Sequence, residues 1–187
     1  MKLLKAINTI LPRLGEHTVT SVDAKHPTVA IILNAIATAL DTVLLEDWWF
    51  NSYETELLPD SEGHIVIGDD ILKVRLTDSP GIVTRREGRL YSMATRTYKW
   101  PVGQAVRVFI AERLTFENLP ESAAQYVMYA GLVEAYLTDV GMEAITQEWS
   151  KAASRARQGM TAEHLQNKKY SIRNGGRYQR IRAHMRG

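Results

Sequence analysis

The chain has 187 residues, 45% of them hydrophobic and 24% charged, with a formal net charge of +2. That composition excludes wholesale disorder, and the length lets one domain, or one domain with an insertion, bury about 70% of its unfolded surface. With no cysteine, disulfides, thiolate zinc sites and cysteine nucleophiles are all excluded.

Met1-Lys2-Leu3-Leu4-Lys5 lacks the long apolar core and small-residue cleavage site of a signal peptide, so none is expected. Leu3, Leu4, Ile7, Ile10 and Leu11 recur at helical spacing and predict a short helix over residues 3–11, ended by Pro12. A second helix is predicted from Pro27 to Glu46, with proline in its first turn, where no N–H is needed. At about 100° per residue, Val29, Ile32, Leu33, Ile36, Leu40, Val43 and Leu44 share one arc. Thr28, Asn34, Thr38, Asp41 and Thr42 fall opposite, and a polar face with a single charge implies a second neighbour, either an intrachain helix or another subunit. The uncharged run His26 to Leu40 contains Asn34 and two threonines and is shorter than the about 20 apolar residues of a membrane span. It is read as a buried helix, with no membrane contact.

Trp48-Trp49-Phe50-Asn51 opens a stretch punctuated by turn signals at Pro59-Asp60, Glu62-Gly63, Gly68-Asp69-Asp70, Ser79-Pro80-Gly81 and Glu87-Gly88. Leu72, Val74 and Leu76 alternate with Lys73 and Arg75, as in a half-buried strand. Residues 82–86 and 89–94 flank Glu87-Gly88 as a hairpin, and 106–114 reads as a longer strand. Residues 48–118 thus predict a small antiparallel sheet. Helices return at Pro120: Ala123, Val127, Ala130, Val133, Leu137 and Val140 recur at heptad-like spacing, and Gly141 is a natural stop. Tyr126, Tyr129 and Tyr136 lie on a neighbouring face, and the alanines and Gly131 permit close approach of another backbone. Met142, Ile145, Trp149, Ala152, Ala156 and Met160 predict a fourth helix, with Gly159 a candidate kink. Beyond Lys168 the pattern dissolves into an arginine-rich tail.

The expected fold is therefore α+β: a four-helix bundle-like α domain (1–47 and 119–170), an inserted small antiparallel β module (48–118) and a basic C-terminal arm (171–187). Charge follows the same division. Residues 151–187 hold ten Lys/Arg and one acid, Glu163, leaving residues 1–150 at a net −7. Such an arm meets an acidic or nucleic-acid partner, or is merely solubilising.

The sequence holds no glycine-rich phosphate loop, Gly-x-Ser-x-Gly elbow or His-x-x-x-His pair, and the five histidines, His17, His26, His64, His164 and His184, lack ligand spacing. No metal site, cofactor or catalytic residue is expected. The acids Glu54, Glu56, Asp60, Glu62, Asp69 and Asp70 crowd the β module. They read as a glycosidase-type pair or as ordinary turn and edge chemistry. Trp48, Trp49, Phe50 and Trp100 read as a sugar platform or, more often at a junction, as core.

Several segments, in order, resemble one family. They are Ala6-Ile7-Asn8-Thr9-Ile10-Leu11-Pro12 with Gly15-Glu16, His26-Pro27, Trp48-Trp49-Phe50-Asn51, Asp69-Asp70-Ile71-Leu72-Lys73-Val74, Arg89-Leu90-Tyr91, and Phe116-Glu117-Asn118-Leu119-Pro120-Glu121. Together they resemble the tail tubular protein A, or adaptor, family of podovirus-type short-tailed phages over nearly the whole chain. The tail departs from that family's pattern in Gly175-Gly176 and its density of arginine. The resemblance implies a non-enzymatic virion protein that forms a typically dodecameric ring beneath the portal. Its implied partners are the portal protein, the tail nozzle protein (tail tubular protein B), the tail fibre protein, further copies of itself, and genomic DNA passing through the lumen without sequence specificity. It implies a virion tail location, with assembly in the host cytoplasm.

Two sets of contact residues are expected. Thr28, Ile31, Asn34, Thr38 and Asp41 of the long helix would meet a ring neighbour. Ile172, Arg173, Arg177, Tyr178, Arg180, Ile181 and Arg182 of the arm would meet the portal, since apolar anchors interleaved with arginine suit a protein interface better than a polyelectrolyte one. The residues leave two alternatives open: a small carbohydrate-active tail module using the β-region carboxylates, and a nucleic-acid-binding protein using the basic tail.

Overall fold

The structure is a computed structural model and describes residues 1–78, 81–139, 141 and 143–168. The arm at 171–187, with all seven of its expected contact residues, lies outside the described residues, as do Val140, Met142 and the Ser79-Pro80 turn.

The fold is α+β. Helix α1 (Leu3–Ile10) runs into a 3-10 turn (Leu11–Leu14) that carries Pro12 in its first turn and ends at Gly15 with φ +78°. At eight residues α1 is too short to persist alone, and packing of Ala6, Ile7 and Ile10 holds it. Helix α2 (Pro27–Leu44) buries Val29, Ile32, Ile36, Val43 and Leu44, with Leu33 and Leu40 packed at the margin of the same core. By length and composition α2 is apolar enough to cross a membrane, yet its apolar arc is committed to α1 and to α3 (Glu121–Asp139). Each fully buried Ile, Val or Leu contributes about 1.5–3 kcal/mol there.

Gly131 of α3 lies against Ile36 of α2, where a Cβ would stand 2.9 Å from Ile36 Cγ1 and 3.2 Å from both its Cα and N. On the other side of α3, Ser122 Oγ donates to Glu163 (2.8 Å) and Tyr136 packs edge-on against Trp149, both on α4 (Ala144–Asn167). Ser122 and Gly131 are nine residues apart, about half a turn round the helix at about 100° per residue, so α3 is sandwiched between α2 and α4. Helix α4 runs unbroken through Gly159, the expected kink site, where no atom would lie within 4 Å of an added Cβ to bend it.

The insertion forms two antiparallel sheets where the sequence predicts one. Strands β1 (Ser52–Leu57), β2 (Ile71–Leu76) and β5 (Val106–Glu112) form a three-stranded sheet in the order β1-β5-β2. Strands β3 (Val83–Arg86) and β4 (Arg89–Ser92) form a hairpin. Its two turn residues, Glu87 and Gly88, both have positive φ (51° and 69°), which matches the twist of the flanking strands. Ile65, Ile67, Val74, Val83, Leu90, Val108 and Ile110 form a second core between the two sheets. Trp100 closes that core: its Nε1 donates to the Leu90 carbonyl (3.1 Å) and its amide to the Gly63 carbonyl (2.8 Å).

A single asparagine joins bundle to sheet. Asn51 is fully buried; its Nδ2 donates to the carbonyls of Leu44 (2.8 Å) and Glu112 (3.4 Å), and its Oδ1 accepts from the Trp48 amide (3.2 Å). It thereby ties polar groups at the end of α2 to the end of β5, and gives the Leu44 carbonyl a buried donor.

Candidate assembly surfaces

The outer face of α2 is exposed along much of its length. Ala30, Asn34, Ala37, Thr38, Asp41 and Thr42 are all exposed. Thr38 and Thr42 turn their hydroxyls back onto the carbonyls of Asn34 (3.0 Å) and Thr38 (2.9 Å), so the face presents small side chains with little free donor capacity. Its one charge, Asp41, is paired with Arg113 just beyond β5. Of the five residues expected there, Asn34, Thr38 and Asp41 are exposed, and Ile31 is half-buried against the core. Thr28 is a correction to the wheel: it is buried, with its hydroxyl donating to Glu16 Oε1 at 3.3 Å. The cause is tertiary. Asn8 pins the loop before α2 by exchanging hydrogen bonds with Val19 (2.8 and 2.9 Å), which carries Glu16 over the start of the helix.

A second surface lies on the far side of α3. Ala152, Ala156 and Gly159 of α4, with Ser122, Gln125 and Tyr129 of α3, line an open groove of about 420 Å³. Another edge of α4 is tied to α3 and to the loop after α2. Arg157 donates twice to the Glu46 carboxylate (2.9 Å each) and to Tyr126 Oη (3.1 Å), and it lies over the Trp48 and Tyr126 rings. The Tyr126 and Glu46 hydrogen bonds favour the charged guanidinium and raise its pKa further.

Trp48, Trp49 and Phe50 are core and junction. Trp48 is buried, stacked on Phe50 and edge-on to Trp49 and His164 of α4. Burial there, and secondarily Lys168, holds the His164 pKa below the ordinary histidine value. At the end of α4, Lys168 Nζ donates to the Asp47 carbonyl (3.1 Å) and lies 5.3 Å from the Phe109 ring centroid on β5. Asp47 also pairs with Lys73 (3.2 Å) and Arg75 (2.9 Å) of β2. The chain therefore leaves α4 on the outer face of the three-stranded sheet.

The six module acids are spread over separate turns and edges. Asp60 caps its own turn by accepting from the amides of Glu62 and His64, and those bonds, His64 first, lower its pKa. Glu56 pairs with Arg107 (3.2 Å) and Asp69 with Arg85, while Glu62 lies 3.5 Å from His64. Glu54 and Asp70 are exposed on β1 and ahead of β2. No two of them converge on a cleft, and the hydrogen bonds to Asp60 push its pKa down, opposite to the raised pKa of a general acid. Among the described residues no group of His, Asp and Glu is placed to hold a metal ion.

Neither the joining role of Asn51 nor the pairing of Arg157 can be read from spacing in the sequence. Arg157 and Glu46 are 111 residues apart, and they meet because α3, packed on both helices, brings α4 alongside the loop after α2.

Comparison with known proteins identifies the family of the chain. The profile of the tail tubular protein family matches residues 4–170. Tail tubular protein A of Klebsiella phage KP34 is 30% identical over 182 residues, which cover 97% of each chain. A solved chain from the neck of an empty GTA particle, computed with C6 symmetry, is 14% identical. That match covers 80% of this chain and 88% of the other at a TM-score of 0.27, too low to bear on the fold. The chain belongs to the tail tubular protein family and is a structural protein of a phage tail.

Proposed function

We propose that this chain is the adaptor subunit of a dodecameric ring that joins the capsid portal to the tail nozzle. It has three parts: the bundle (1–47 and 119–170), the β module (48–118) and the arm (171–187). The ring seats the tail fibres, and genomic DNA passes through its lumen without sequence-specific contact. It assembles on the portal in the host cytoplasm and catalyses no reaction. One observation carries the reading: the long α2 helix leaves a small-residue, almost uncharged face open along Asn34, Ala37, Thr38 and Asp41. Ile31 at its margin completes the neighbour contact, and Thr28, buried beneath Glu16, supports the helix from below. Such a face is too weakly apolar for an obligate contact in free solution, and suits one formed when a template supplies high local concentration.

The arm supplies the portal contact through Ile172, Tyr178 and Ile181 as apolar anchors and Arg173, Arg177, Arg180 and Arg182 as charges. Deleting residues 171–187 leaves the bundle and β module folded and abolishes binding to purified portal rings. Tyr178→Ala and Ile181→Ala each weaken portal binding by about 1–2 kcal/mol. Full portal assembly by the truncated chain refutes the arm contact. Failure of the complete chain to bind portal refutes the adaptor role.

A further inference from the structure

We propose that the open edge of β1 is a docking surface for the chain's own basic segment, residues 169–187, in the unassembled subunit. β1 is an outer strand of the β1-β5-β2 sheet, so among the described residues one side of its backbone has no strand partner. The Glu112 amide donates to the Asn51 carbonyl, which fixes the phase of the β1–β5 ladder. Residues 53, 55 and 57 then bond to β5, and the main-chain groups of Glu54 and Glu56 point out from the edge. An exposed edge of this kind accepts an extended chain.

The end of α4 places the occupant beside it. Lys168 Nζ lies 5.3 Å from the Phe109 ring, and Phe109 is directly opposite Glu54 in the β1–β5 register. Neighbouring strands lie about 4.8 Å apart, so the side chain at the end of α4 rests over the strand next to β1. Nineteen residues follow Lys168. At about 3.3 Å each they far exceed what is needed to run the length of a six-residue strand, and a short tether gives a high effective concentration.

Charge selects between occupants. Residues 52–62 carry Glu54, Glu56, Asp60 and Glu62 and no Lys or Arg, whereas residues 169–187 carry six Lys/Arg and no acid. Of the four acids, Glu54 has no partner among the described residues, while Glu56 shares Arg107 with Asp78. Glutamates on an outer strand repel neutral and acidic strands and DNA, and leave a cationic segment admissible. Docked there, the arm is held until the portal takes it. The proposal concerns the isolated chain, so it stands or falls separately from the portal contact.

The test uses the absence of native cysteine. Leu58, just past β1 and 68% exposed, is replaced as Leu58→Cys together with Gln179→Cys. The control pairs Gln179→Cys with Ala37→Cys on the exposed face of α2. Under mild oxidation at about 50 mM salt, the Leu58 pair closes an intrachain disulfide about tenfold faster than the Ala37 pair, and about 500 mM salt removes most of that advantage. Adding Glu54→Lys and Glu56→Lys does the same at low salt. The salt series decides the question if that quadruple variant fails to fold. Equal rates for the two pairs, an advantage insensitive to both salt and charge reversal, or disulfides formed mainly between chains would each overturn the proposal.

Discussion

Two glycines in the middle of helices make opposite predictions for the same substitution. At Gly131 a new Cβ stands 2.9 Å from Ile36 Cγ1 and 3.2 Å from the Ile36 Cα and N. Two of those three atoms are backbone, so a rotamer change does not relieve the clash; α2 has to move off α3. Overpacking of this kind costs about 1–3 kcal/mol, and alanine recovers about 1 kcal/mol of helix propensity, leaving Gly131→Ala destabilised by about 1 kcal/mol. At Gly159 nothing lies within 4 Å of the added Cβ, so Gly159→Ala keeps the propensity gain and is stabilised by about 0.5–1 kcal/mol. For a chain of this size 1 kcal/mol moves the midpoint by about 2–4 °C, so the two variants should melt about 4–8 °C apart, on either side of the parent. Gly131→Val should fall further. Far-UV circular dichroism melts, with urea titrations to confirm unchanged m-values, provide the readout. A Gly131→Ala protein that melts at or above the parent refutes the close α2–α3 contact.

Asn51→Ala should cost about 3 kcal/mol in urea denaturation, because it leaves the Leu44 carbonyl and Trp48 amide buried without the side-chain partner they now share. Stability should fall as the pH drops from 7 to 5. The folded His164 pKa is depressed, so the unfolded chain binds the proton first, from about pH 6.5 downward, and the loss levels off below the folded pKa. His164→Gln should flatten that slope in melts across the range, and an unchanged slope assigns it elsewhere. Ala37→Arg, on the exposed face of α2, should leave the monomer's melting within about 0.5 kcal/mol of the parent and reduce ring formation on the portal, scored by negative-stain counting.

The elements with strong periodicity were legible in the sequence. The arc of α2, the presence of α3 and the Glu87-Gly88 hairpin all follow from local rules, but the buried face of α3 does not: beyond Ala123 and Val127 the core takes Ala124, Met128, Leu132 and Ala135, while Leu137 is exposed. β1 was not singled out, because its sequence, Ser-Tyr-Glu-Thr-Glu-Leu, is that of an outer strand. Only Tyr53, Thr55 and Leu57 face inward, and Tyr53 remains exposed, so the apolar alternation is faint. The single expected sheet divides in two because β2 and β3 pack side by side without pairing, a matter of long-range geometry. Thr28 was misplaced because a helical wheel has no knowledge of the loop that carries Glu16 across it. The Arg157–Glu46 pair and the Asn51 junction depend on contacts between distant segments, which a single sequence does not encode in any readable spacing. Of the surfaces, the low charge of the α2 face was visible from composition alone, whereas the exit of the chain over Phe109 required the structure.

The central claim, a portal-templated adaptor ring, is tested most directly by cryo-electron microscopy of the full chain mixed with purified portal rings. The account predicts a closed ring of copies on one end of the portal, with Asn34, Ala37 and Thr38 of α2 at the contact between neighbours and residues 171–187 on the portal. Copies bound singly with the α2 face open to solvent, or no complex at micromolar concentration, would contradict it.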